Sequence, residues 1–72
     1  MFYTVLEIQV NNGSKSCIPV IYDNINDAYN KLYTILAYAS VSECEYHSGC
    51  ILRSDGILID GKVFDRMNPV EV

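Results

Sequence analysis

The sequence predicts an α+β domain in the order ββαββ, an antiparallel four-stranded sheet with one helix packed on one face. Three observations lead there. Two stretches of alternating polarity at 2–10 and 15–22 flank an Asn/Gly-rich turn, an apolar stripe at helical spacing follows, and a second alternating pair closes around an Asp-Gly turn. With 72 residues the chain has room for one hydrophobic core, since a domain this short buries only about 60% of the surface its unfolded chain exposes. A single domain over 1–66 with a flexible tail over 67–72 is therefore expected.

From Phe2 to Val10 the residues Phe2, Leu6, Ile8 and Val10 share one face and Tyr3, Glu7 and Gln9 the other, the signature of a half-buried strand. The even-numbered, more apolar set is expected to face the core, which leaves Tyr3 projecting from the opposite face. Asn11-Asn12-Gly13-Ser14 supplies residues that tolerate positive φ, and Lys15 to Tyr22 resumes an extended pattern, so the two runs form a hairpin. Pro19 cannot donate a ladder hydrogen bond, which predicts a sheet edge or a bulge.

The period then changes. Asn24 can cap a helix with Asp27 three residues on, and Ile25, Ala28, Leu32, Ile35, Leu36 and Ala39 recur at helical spacing. A helix over about 25–39 follows, with Tyr29 and Tyr33 together on one flank of its stripe. Glu43 to Arg53 reads as a long strand, Ser54-Asp55-Gly56 as a tight turn, and Ile57-Leu58-Ile59 as the return. Asp60-Gly61 then either bulges that strand or turns it into a short fifth strand.

Charge excludes some functions. A formal net charge of -4, with Lys15, Lys31, Arg53, Lys62 and Arg66 scattered, opposes direct binding to nucleic acid or to an anionic membrane. The first residues lack the basic and apolar regions of a secretion signal, and no apolar run has membrane-spanning length, so a cytoplasmic location is expected. Three cysteines, an odd number, fit a reducing compartment better than a disulfide framework. Asn12-Gly13-Ser14 matches a glycosylation sequon but reads here as a turn.

Chemistry-bearing residues concentrate near residue 47. Cys44-x-x-His47-x-x-Cys50 has zinc-ligand residue types, yet on a strand Cys44 and Cys50 lie roughly 20 Å apart at about 3.3 Å per residue, with His47 on the other face. No metal and no cofactor is expected. His47 with Ser48 or Cys50 could form a nucleophile and base, although adjacent strand residues face apart. Glu43 and Glu45 read as a solvated strand end. Tyrosine is abundant at 6 residues with no tryptophan, and tyrosine is enriched at interfaces.

The candidate ligand-binding set is Tyr46, His47 and Ser48 beside Gly49, with Arg53 as the cation for an anionic group and Tyr3 as a stacking platform. No catalytic residue is assigned. In size, acidity and hairpin-helix-hairpin order the chain resembles the small proteins encoded by bacteriophages and mobile elements, including anti-CRISPR and nucleotide-sequestering counter-defence proteins. That resemblance implies action by binding in a host cytoplasm, at an effector's surface or around a signalling nucleotide, often at an oligomer interface. The expected function is a non-enzymatic binding protein, homo-oligomeric, holding a small anionic ligand or blocking a partner protein. A small hydrolase or transferase centred on His47, or a structural assembly subunit, is the alternative.

Overall fold

Asn12 and Gly13 both take left-handed backbone, with φ of 53 and 79, and this two-residue turn matches the twist of the strands it joins. In the computed structural model, which describes residues 1–66, it connects strand β1 (Tyr3–Asn11) to strand β2 (Ser14–Tyr22) in register from Tyr3 opposite Tyr22 to Asn11 opposite Ser14. Helix α1 (Ile25–Val41), strand β3 (Tyr46–Arg53) and strand β4 (Leu58–Asp65) follow. The tail over 67–72 lies outside the described residues.

Asn24 starts the helix. Its side-chain oxygen accepts from the Asp27 backbone N–H at 2.8 Å while its amide donates to the Asp27 carboxylate at 2.7 Å, so cap and third residue satisfy each other. The helix runs two residues past the expected end and stops at Ser42, whose N–H donates to the Ala39 carbonyl and whose hydroxyl accepts from the Cys44 N–H. Those turns occupy the residues before Tyr46, so β3 starts later than the Glu43 that alternation alone implied.

The sheet order is β2-β1-β3-β4, all neighbours antiparallel. β2 is an edge strand, as Pro19 requires. The helix carries the chain from that edge past β1 to the interior strand β3. Asp60-Gly61 does not begin a fifth strand: β4 runs straight through it, and the irregularity falls one step earlier, where Ile51 pairs with Asp60 but Leu52 with Leu58. The extra residue, Ile59, packs against the core.

One expectation is reversed. The helix covers the odd-numbered face of β1, so Tyr3 packs against the core instead of away from it, and Leu6, Ile8 and Val10 face the uncovered side. The core beneath the helix comprises Val5, Ala28, Leu32, Ile35 and Ile51, edged by Tyr3, Tyr22, Ile25, Tyr29, Leu36 and Ile59. The physical reason lies in β3. Gly49 is on the helix side, and a Cβ built there would stand 2.9 Å from Ile35 Cγ2 and 3.1 Å from Leu32 Cδ1. The missing side chain lets the helix settle close against this face, which a run of Leu, Ile and Val on the other face does not allow.

Candidate functional site

β3 divides the residues that sequence reasoning grouped together. His47 and Arg53 point to the helix side with Tyr3, while Tyr46 and Ser48 point to the open side. A single pocket built from all five does not form within one chain. His47 also stands apart from both proposed nucleophiles, because Ser48 and Cys50 project from the opposite face.

On the helix side His47 is 1% exposed. Its Nε2 lies 2.8 Å from Glu7 Oε2, which also accepts from Gln9 Nε2 at 3.2 Å. An ionised carboxylate only accepts, so Nε2–H is the donor in this pairing. Nδ1 is buried with no hydrogen-bond partner among the described residues. The Tyr38 ring meets the imidazole edge-on at a centroid distance of 5.6 Å, and Cys44 Sγ approaches Gln9 Oε1 at 3.6 Å. This cluster lies under the C-terminal end of the helix and is closed to a substrate. Charge along the rest of this side is local: Tyr29 is pushed above its ordinary value by burial first and by Asp60 second.

Arg53 is already occupied. Its guanidinium grips Asp55 with two bonds, Nε to Oδ1 at 2.9 Å and Nη2 to Oδ2 at 2.6 Å, and this holds the Asp55 carboxyl below its ordinary value. The bidentate pair staples the β3–β4 turn. Arg53 is therefore a poor anchor for an anionic ligand.

The open side has a different character. Cross-strand register arranges it as four rows of four: Lys15, Val10, Tyr46, Asp65; then Cys17, Ile8, Ser48, Val63; then Pro19, Leu6, Cys50, Gly61; then Ile21, Thr4, Leu52, Leu58. Lys15 and Asp65 are its charged members, and both belong to one end row. Ile21, Leu58 and Val63 are 67%, 61% and 53% exposed, because no chain segment among the described residues covers them. A shallow depression of about 390 Å³ runs over Ile8, Ser48, Cys50 and Gly61, rimmed by Tyr46, Leu58 and Val63. It exists because Ser48 is small and Gly61 has no side chain; a Cβ at Gly61 would sit 2.8 Å from Cys50 Cβ. Burial pushes the Cys50 thiol above its ordinary value, with Cys17 adding to the shift.

No group of three or more His, Cys, Asp or Glu side chains is gathered to hold a metal ion among the described residues, and no described helix is long and apolar enough to cross a membrane. The open face was readable in part, since Leu6, Ile8 and Val10 alternate in the sequence. Which side the helix would choose was not. Comparison with protein-family models, with curated proteins and with solved structures finds no match to this chain.

Proposed function

We propose that this chain is a non-enzymatic interaction module whose open sheet face binds a protein. The observation that carries this reading is the apolar array across all four strands, with its two charges confined to one end row. Folded chains that act alone rarely expose a contiguous apolar patch of this kind, and such patches mark interaction sites. A flat pleated surface with a shallow apolar depression suits another protein surface better than a small anion, because Lys15 shares a separate hollow at the end row with the carboxylates of Glu45 and Asp65 and Arg53 is held by Asp55. Blocking an effector's surface, as in phage counter-defence, is a setting in which such a face would act.

A photo-crosslinking amino acid placed at Val63, on the open face, and at Thr34, on the exposed side of the helix, tests the assignment in cells that make the chain. Covalent adducts to protein from position 63 and not from 34 are expected. Adducts from position 34 alone would overturn it.

A further inference from the structure

We infer that the outer edge of β4 is a strand-addition site, where an extended segment of a partner protein pairs antiparallel with residues 60–63 and presents, in chain order, an acidic, an aromatic and a basic residue. The inference rests on the proposed reading of the open face, because the aromatic residue enters the apolar hollow there.

Backbone direction separates the two edges of the sheet. The Ser54 N–H donates to the Phe2 carbonyl at 2.9 Å and the Arg66 N–H to the Glu45 carbonyl at 2.8 Å. In an antiparallel ladder, residues that turn both backbone groups toward a neighbouring strand alternate with residues that turn both away from it. Carried through the register, Lys15, Cys17, Pro19 and Ile21 point outward from β2, and Gly61 and Val63 point outward from β4. Pro19 has no N–H and interrupts its row in the middle, so a strand added at β2 gains little. β4 carries no proline. Its Gly61 N–H donates to the neighbouring Asp60 carboxylate at 2.8 Å, a local, exposed bond that the carbonyl of an added strand can replace.

The side chains flanking that edge define what the added strand carries. On the open side Gly61 contributes none, and the depression of about 390 Å³ over Ile8, Ser48 and Cys50 adjoins it. An aromatic residue opposite a glycine on an edge strand lies across it and fills such a gap. Asp60 and Lys62 point to the helix side. The Asp60 carboxylate also meets the Tyr29 hydroxyl. The Tyr29 and Tyr33 ring centroids are 5.7 Å apart, and Tyr33 is largely exposed. A guanidinium opposite Asp60 therefore finds a carboxylate and an aromatic surface together. Lys62, whose Nζ lies 5.3 Å from the Phe64 ring centroid, is complemented by a carboxylate opposite it.

Asp60 and Lys62 also set the order of residues in the segment. All neighbours in this sheet are antiparallel, and an antiparallel segment passes Lys62, Gly61 and Asp60 in that order. Its acidic residue therefore precedes the aromatic one and its basic residue follows. The reversed order, paired antiparallel, sets a like charge opposite both Lys62 and Asp60. The aromatic residue turns its N–H and C=O toward Gly61, whereas the basic residue turns its own away from β4.

Fluorescence anisotropy tests this on the full chain, with a labelled peptide of threonine and valine that carries glutamate, phenylalanine and arginine in that order at its centre. Saturable binding is expected, about tenfold tighter than for the reversed order, and lost when the three residues are replaced by threonine. N-methylation at the phenylalanine nitrogen should abolish binding, and N-methylation at the arginine nitrogen should leave it intact. Asp60→Arg should weaken binding about tenfold, and a peptide with glutamate in place of the arginine should restore it. Circular dichroism confirms that this variant is folded, and the N-methylated peptides need no substitution in the chain. Equal affinities of the two N-methylated peptides overturn strand pairing. A tighter reversed peptide overturns the direction, and a failed charge exchange overturns the role of Asp60. No saturable binding by any peptide overturns the inference, and photo-crosslinks to protein from position 63 would then leave the open-face reading standing. Adducts from position 34 alone remove that reading whatever the peptides do.

Discussion

At Gly49 the helix side chains come too close to the sheet to admit a Cβ, and this offers a sharp test of which face the helix covers. Replacing it with alanine puts a methyl 2.9 Å from Ile35 Cγ2 and 3.1 Å from Leu32 Cδ1, whereas comfortable carbon contacts lie at about 3.5–4.0 Å. The helix or the two side chains must therefore retreat by roughly half an ångström or more. Overpacking of this kind costs about 1–3 kcal/mol. The loss of glycine's freedom in the unfolded chain returns about 0.4–1 kcal/mol, so a net destabilisation of about 1 kcal/mol is expected. For a domain of this size that lowers the melting temperature by about 4–8 °C. Thermal melts by circular dichroism, all at one protein concentration, measure it. The source of the clash can be isolated, because Ile35→Leu removes Cγ2. The double variant Gly49→Ala with Ile35→Leu should be more stable than the sum of the two single effects by about 0.5 kcal/mol or more. A Gly49→Ala variant that melts at or above the parent, or a pair of strictly additive effects, would refute the packing described here.

Further measurements address the other parts of the molecule. Asn24→Ala removes the cap bond to Asp27 and should cost about 1 kcal/mol, while Asn24→Ser should be nearly neutral in the same melts; equal effects would disprove the cap. Glu7→Ala leaves the buried His47 imidazole without its remaining partner and should cost about 1–3 kcal/mol, against less than about 0.5 kcal/mol for Glu43→Ala on the surface. Cys50, whose thiol is raised by burial first and by Cys17 in addition, should alkylate slowly at neutral pH. Because its folded-state value is raised, the stability that this thiol contributes is intact below the ordinary value of 9.0 and is lost as pH rises through the folded value. Mass mapping of iodoacetamide adducts against pH checks this, and Cys50 labelling as fast as the exposed Cys17 would contradict it.

The order of elements was legible because each boundary has its own local chemistry. Asn12-Gly13 permits two successive positive φ values, Asn24 and Asp27 close a cap, Asp55-Gly56 turns the second hairpin, and Pro19 restricts its strand to an edge. Each of these acts within a few residues. The ends of α1 and β3 were less legible, because Ser42 and Cys44 hydrogen-bond to one another in a connection that alternation cannot distinguish from strand. The candidate residues divide between two faces for a related reason. Tyr46, His47 and Ser48 are adjacent in sequence, and adjacency on a strand sends neighbours to opposite faces. Arg53 was read as a free cation because its partner, Asp55, lies across a turn whose geometry appears only in three dimensions.

The face chosen by the helix depends on a residue with no side chain. β1 carries Leu6, Ile8 and Val10 on one side and Val5 flanked by Tyr3 and Glu7 on the other, so hydrophobicity alone assigns the helix to the wrong side. What decides is the combined surface of β1 and β3: Gly49 next to Ile51 makes a hollow that admits Leu32 and Ile35. The polar side chains of Glu7, Gln9 and His47 on that same side find partners in one another, which offsets part of the cost of covering them and leaves His47 Nδ1 as the buried atom without a partner among the described residues. The other side keeps its branched apolar residues and, away from the Lys15–Asp65 row, only Thr4 and Ser48 as side-chain oxygens. The larger hydrophobes of β1 therefore lie on the side that no described segment of the chain covers, which is the surface the proposed function relies on.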